Sequence, residues 1–486
     1  MPEGFWLAFQ PLNLLLALAG ALTGTIVGML PGIGPINAIA ILIPFCFSTG
    51  LPPESVLILL TTIYYGSQYG NSISTILLNV PGTASATVTA LDGYALTRKG
   101  RAASALAMAA VASFVGGMLS LAGLALFAPL LARFAVRFGP AEYFALMVFA
   151  LSTLTSLSGG SAVRGIVSAL LGLGLSTIGF DPNSAVDRYT LGELRLLDGI
   201  DFVVLTIGLF AMSEVFLALE RPDALSKLPV AVARSVVELR NWVACLGTML
   251  RGTLTGFLVG VLPGAGGTVA SFVAYTTEER FHPSKKFGEG ELEGVAAPEA
   301  ANNAAATGAM IPLLTLGVPG SGTTAVLLGA LLGLDIAPGP LFLENHGDVF
   351  WALVASMVVG NVVLLILNLP LVSWFARILS VPAWFLYPGI VITSVVAAYA
   401  VNGATFDVVV MLVLGVLGYV LRKRGFPLAP IVLGFVLGSI MEKSLRRAMA
   451  LSGGGFEILF SSPLAIGIWA AALVMLGIPL LRRKRA

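Results

Sequence analysis

Residues 24–35 read Gly-Thr-Ile-Val-Gly-Met-Leu-Pro-Gly-Ile-Gly-Pro, and 232 positions later residues 256–267 read Gly-Phe-Leu-Val-Gly-Val-Leu-Pro-Gly-Ala-Gly-Gly. A second pair follows in the same order. Residues 70–83 are GNSISTILLNVPGT, and residues 308–321, 238 positions on, are GAMIPLLTLGVPGS. Farther along, Pro140-Ala141 matches Pro382-Ala383, and the polar break Ser158-Gly159-Gly160 matches Asn402-Gly403. Gly and Pro are common in membrane helices, which would account for one such match but not for four in register. The chain is therefore read as an internal repeat, and each copy carries two glycine-proline interruptions inside apolar sequence.

The surroundings decide the solvent. Of 486 residues, 57% are hydrophobic and 11% charged, against about 25% charged in soluble domains. Mean hydropathy is +0.94. The net charge of +2 leaves no basic excess for nucleic acid. Cys46 and Cys245 lie in apolar stretches, so neither a disulfide framework nor metal-ligand spacing exists. His282 and His346 are the only histidines, read as loop residues without chemistry. This describes an all-α polytopic membrane protein.

Runs long enough to cross a bilayer occur at Leu12–Leu30, Ala103–Leu131, Tyr143–Leu157, Val163–Phe180, Phe202–Leu219, Trp242–Leu262, Phe350–Phe375, Ala383–Ala400, Val408–Leu421, Pro427–Met441 and Pro463–Leu481. The first is not read as a signal peptide, since no basic residue precedes it. Pro31–Leu91 and Pro263–Leu334 are apolar but repeatedly interrupted. Lysine and arginine are absent from Leu12 to Leu91 and from Phe287 to Ala376, so these stretches read as the embedded working parts. Equivalent loops carry opposite charge. Ser48–Glu54 has no basic residue, whereas its counterpart Arg280–Lys286 does; Arg98–Arg101 is basic, whereas Ile336–Asp348 is not. Two oppositely inserted halves are expected: 1–220, a cytoplasmic linker 221–241, and 242–486 with a C-terminal helix.

Proline removes a backbone donor and glycine tolerates forbidden conformations. Each interruption should stop one helix and start another, leaving unpaired N–H groups and about half a positive charge at the new N-terminus. Four such breaks around a central cavity point to an anion or ion site. The candidate substrate-binding residues are Gly32, Gly34, Asn37, Asn71, Ser72, Gly82, Thr83 and Ser85 in the first copy. In the second they are Gly264, Gly266, Gly267, Thr268, Asn302, Asn303, Gly320, Ser321, Gly322, Thr323 and Thr324. The alternative for each side chain is that it caps its own helix. An anion held without lysine or arginine needs a co-bound Na+ or proton to balance it. Glu299, with Asn303, is the candidate for that ion; otherwise Glu299 is an interfacial acid at the end of the acidic 289–293 loop. Asp92 is read as a cap or a partner of Arg98 or Lys99. Gly24-x-x-x-Gly28 and Gly256-x-x-x-Gly260 are read as close-packing faces. Competing classes are a passive organic-anion channel, an embedded enzyme, for which acids and bases are too few, and a pump, for which no P-loop is present.

Several ordered stretches resemble the TctA family, the large membrane subunit of tripartite tricarboxylate transporters. They are residues 28–35, 69–83, Ala90-Leu91-Asp92-Gly93-Tyr94, Asp198–Phe202, Gly208-Leu209-Phe210, 260–267, Pro298–Ala305, 314–325 and Met441–Arg447. The resemblance implies ion-driven uptake of a tri- or dicarboxylate such as citrate across the bacterial inner membrane. It also implies a small transmembrane subunit and a periplasmic solute-binding receptor; no cofactor is expected, and a homo-oligomer is compatible with it. Re-entrant hairpins and an elevator motion are expected by analogy alone. Asn71 stands where the family usually has a second glycine, and Lys443 where another acid is usual. The charged stretch Asp181–Asp201 is a candidate receptor-docking surface, or else a plain polar connection.

Overall fold

The computed structural model describes every residue except 1, 31–33, 158–160, 182, 183, 185, 221–238, 371–373, 375–382 and 483–486. Gly32, the Ser158-Gly159-Gly160 break and nearly all of the expected linker lie outside the described residues. The first part runs α1 (Pro11–Met29), α2 (Gly34–Ser48), α3 (Pro53–Leu78), α4 (Thr87–Arg98), α5 (Ala102–Ala135), α6 (Pro140–Leu157), α7 (Ala162–Leu175) and α8 (Phe202–Glu220). The second runs α9 (Leu246–Val261), α10 (Gly266–Phe281), α11 (Glu293–Gly308), α12 (Met310–Leu316), α13 (Gly322–Gly333), α14 (Gly347–Asn368), α15 (Ala383–Asn402), α16 (Thr405–Lys423), α17 (Ala429–Leu451) and α18 (Pro463–Arg482). A two-residue antiparallel ladder, Gly179–Phe180 with Asp187–Arg188, is the sheet among the described residues.

Among the described residues, five helices are long and apolar enough to cross a membrane: α1, α5, α8, α14 and α16. Two of the other expected runs end early or are broken. Val163–Phe180 stops at Leu175, and Trp242–Leu262 is interrupted at Cys245. Inside α8, Ile207–Met212 forms a π-turn where Gly208 packs on the backbone of Met411.

The glycine faces behave as their spacing requires. A Cβ on Gly24 or Gly28 would lie 2.3 Å from the carbonyl oxygen of Ile63 or Ser67, so α1 rides directly on the backbone of α3. A Cβ on Gly256 or Gly260 would lie 2.2 or 2.5 Å from the carbonyl oxygen of Ala301 or Ala305, so α9 rides on α11 in the same way. Without a hydrophobic driving force between helices in lipid, such backbone approach gains van der Waals contact that any side chain would forfeit.

Helices break where the glycine-proline motifs stand: between α1 and α2, α3 and α4, α9 and α10, and α12 and α13. α3 ends on Asn79 at φ 56° and α12 on Gly317 at φ 68°, each in the left-handed region that closes a helix. The copies also differ. α3 is one continuous helix of 26 residues, whereas its counterpart is cut into α11 and α12 beside Pro312.

Candidate functional site at the four helix breaks

The four breaks are neighbours in a closed ring. A Cβ on Gly34 would lie 3.9 Å from Gly82 O and from Thr83 Cγ2. From there Ser85 reaches Gly267, 3.4 Å from its would-be Cβ. One on Gly266 would lie 3.7 Å from Ser321 Cβ and 4.0 Å from Gly320 O. Gly322 closes the circle against Ile36, at 3.0 Å. Gly34 and Gly266 hold φ of +61° and +60°, and Gly264 +80°, values that exclude most other residues. Two interruptions from each half of the sequence, up to about 290 residues apart, therefore meet at one place.

The polar side chains divide by what they hold. Asn71 braces the first-half break: its Nδ2 donates to Thr83 Oγ1 at 2.5 Å, and its Oδ1 accepts from Thr83 N at 2.9 Å. Thr83 Oγ1 also meets Ser85 Oγ at 2.9 Å. Ser321 and Thr324 cap their own helix reciprocally, the bland alternative for that pair, so the N–H groups of α13 are partly satisfied locally. Asn302 donates to Gln68 Oε1 at 2.9 Å and lies over Gly267. Asn303 donates back to Glu299 O at 3.2 Å, while its Oδ1 is buried without a partner. Asn37 and Thr323 are buried and Thr268 half-buried near their helix starts. Around the second-half break Gly317–Gly320 is buried, whereas Asn79, Val80 and Ala84 of the first-half break are exposed.

Glu299 is sealed inside the protein. It is 1% exposed, and its carboxylate accepts from Ser72 Oγ at 2.6 Å, Thr89 Oγ1 at 2.7 Å and Ser113 Oγ at 3.2 Å. Burial without water requires this satisfaction, and three hydroxyls from α3, α4 and α5 supply it. Asp92 corrects the sequence reading. It pairs with neither Arg98 nor Lys99 but accepts from Tyr275 Oη and the backbone N–H groups of Gly288, Gly290 and Glu291, at 2.8–3.0 Å. A buried carboxylate thus pins the connection between α10 and α11. His282 also has a partner, Glu278, 3.3 Å from its Nδ1, and Glu278 is gripped by Arg251.

Further polar groups reach the centre from a stripe along α3: Tyr65 bonds Thr307, Gln68 bonds Asn302 and Tyr69 bonds Asn361. Their spacing of three and four residues on a helix poor in charge was the available signal. A cavity of about 280 Å³ lies away from the ring, where Phe47, Phe202 and Phe435 wall a space beside Asp198 and Asp201. Within 181–201, Asp181 and Arg188 are tied into an ion-pair network: Arg188 and Arg446 share Glu442 and Asp181.

Comparison with known proteins matches this architecture to a family. The model of the tripartite tricarboxylate transporter TctA family aligns with residues 14–433. An uncharacterised 52.8 kDa protein from the TAR-I ttuC′ 3′ region of Agrobacterium vitis is 42% identical over 99% of this chain and 96% of its own length. A second, from the TAR-II ttuC′ 3′ region of the same organism, is 43% identical over 47% of this chain and 97% of its own length. No solved structure matches. With apolar helices that cross a membrane several times and both glycine-proline pairs inside the matched span, the chain belongs to the TctA family of tripartite tricarboxylate transporters.

Proposed function

We propose that the chain is the large membrane subunit of a receptor-dependent, cation-coupled secondary transporter that takes up tri- or dicarboxylates across the bacterial inner membrane. The observation that carries this reading is the closed ring of four helix breaks built from segments without lysine or arginine. Backbone N–H groups at helix starts, with the amides of Asn71 and Asn302 around them, suit carboxylate oxygens. They leave part of two or three negative charges uncompensated at low dielectric, and a co-bound Na+ or proton supplies the balance. Glu299 and Asn303 are the proposed seat of that ion. The matched glycine approaches in α1 on α3 and α9 on α11 support two equivalent halves, and the charge signals of their loops support opposite insertion. An elevator displacement, a homo-oligomeric assembly and citrate as cargo belong to the same proposal.

The test is reconstitution of the chain with its small membrane subunit and receptor in liposomes, with labelled citrate outside. Accumulation against a gradient is expected under an inward Na+ or proton gradient, and is lost when the receptor is omitted or both gradients are collapsed. A passive channel equilibrates citrate without accumulating it; that result, or undiminished accumulation with neither ion gradient, refutes the reading.

A further inference from the structure

A void of about 10 Å³ lies beside Glu299, close to the least space that admits one water. Its wall is formed by Tyr69, Ser72 and Ile73 of α3, Leu106, Ala109, Ala110 and Ser113 of α5, and Asn368 at the end of α14. The hydroxyl protons there are spent elsewhere. Ser72 Oγ and Ser113 Oγ both donate to Glu299 Oε2, at 2.6 and 3.2 Å. Tyr69 Oη donates to Asn361 Oδ1 at 3.2 Å. Asn368 Nδ2 donates to Leu364 O at 2.8 Å, and Asn368 Oδ1, in a residue 4% exposed, is left without a partner. The void is therefore lined by four oxygen-bearing side chains backed by a buried carboxylate, with one unpartnered amide oxygen and no basic side chain among its lining residues.

We infer that this void is a binding site for one bare monovalent cation, Na+ in the first instance, coordinated by Ser72, Ser113, Tyr69 and Asn368 and neutralised by Glu299. Hard cations take oxygen ligands of this kind. A single positive charge cancels the single carboxylate, whereas a divalent ion would leave net charge buried in the protein. The site is wired to the ring. Ser72 adjoins Asn71, which braces the Thr83 break, and Glu299 stands one helical turn before Asn302, which covers Gly267. A cation here sets the spacing of α3, α5 and α11, and with it the positions of two breaks.

The inference rests on the cation-coupled reading and names the seat of the ion more closely. Its test is equilibrium binding of radioactive Na+ to the purified full chain in choline buffer without carboxylate. One saturable site is expected. Asn368→Leu should weaken it at least tenfold and Ser113→Ala several-fold, Glu299→Gln should abolish it, and Ser356→Ala, on the same helix as Asn368 but away from the void, should leave it unchanged. Should Glu299→Gln fail to fold, the other two variants carry the decision. Absence of saturable Na+ binding in the wild type, as when one water fills the void, overturns the inference. So does unaltered affinity in both Asn368→Leu and Ser113→Ala. Accumulation driven by an ion gradient together with either result removes this site and leaves the coupled reading standing. Na+ bound here without ion-driven accumulation keeps the site and removes the coupled reading.

Discussion

Replacing Gly28 by alanine puts a methyl group 2.3 Å from Ser67 O and 2.5 Å from Ser67 Cα. Carbon and oxygen in a favourable weak contact sit about 3.3–3.6 Å apart, so α1 and α3 must part by about 1 Å. Both atoms belong to backbone, so no side chain can swing away. A gap of that size forfeits roughly a quarter to a half of each dispersion contact along the interface, and overpacking of this kind costs about 1–3 kcal/mol. Gly260→Ala meets Ala305 O at 2.5 Å and Ala305 Cα at 2.6 Å and should cost the same. The two sites share no partner, so the double variant should lose about 2–6 kcal/mol. Gly174, in α7, has nothing within 4 Å of a new Cβ; there alanine should be neutral or stabilise by up to about 1 kcal/mol. The assay is the thermal inactivation midpoint of the purified protein in one detergent, read alongside ion-driven citrate uptake. If Gly28→Ala and Gly260→Ala melt and transport like Gly174→Ala, the helices do not touch through these glycines, and the argument for matched halves fails with them.

Asn71→Ala removes both bonds to Thr83 and should loosen the first-half break, raising the apparent KM for citrate by about 5–30-fold, the equivalent of ~1–2 kcal/mol; an unchanged KM with intact expression would separate Asn71 from the substrate. Asp92→Asn replaces a charged acceptor of four donors and should destabilise the fold by about 2–4 kcal/mol while exposing the 282–292 connection to protease. Glu442→Gln cuts the part-exposed pairs to Arg188 and Arg446 and should speed tryptic cleavage at Arg188 and Arg195 without altering the midpoint by more than a few degrees.

The helix runs, the four breaks and the two glycine faces were readable because each is written in a few consecutive residues. A Pro-Gly pair changes the local backbone wherever it lies, and glycine every fourth position marks a helix side that can touch another backbone. The family resemblance drew on the same short motifs. Side-chain partners were less legible. Asp92 has lysine and arginine within seven residues but spends its charge on N–H groups almost 200 residues away. Glu299 follows an acidic loop by six residues, yet the fold carries it inward to meet hydroxyls from three other helices.

Local backbone chemistry thus settles where helices stop, because proline and glycine act on their own dihedral angles and hydrogen bonds. Which stops meet, which carboxylate is sealed away from water and which amide is left with an unpaired oxygen depend on how helices distant in the chain cross. That arrangement is set by the sum of many weak contacts, and no single stretch of residues records it.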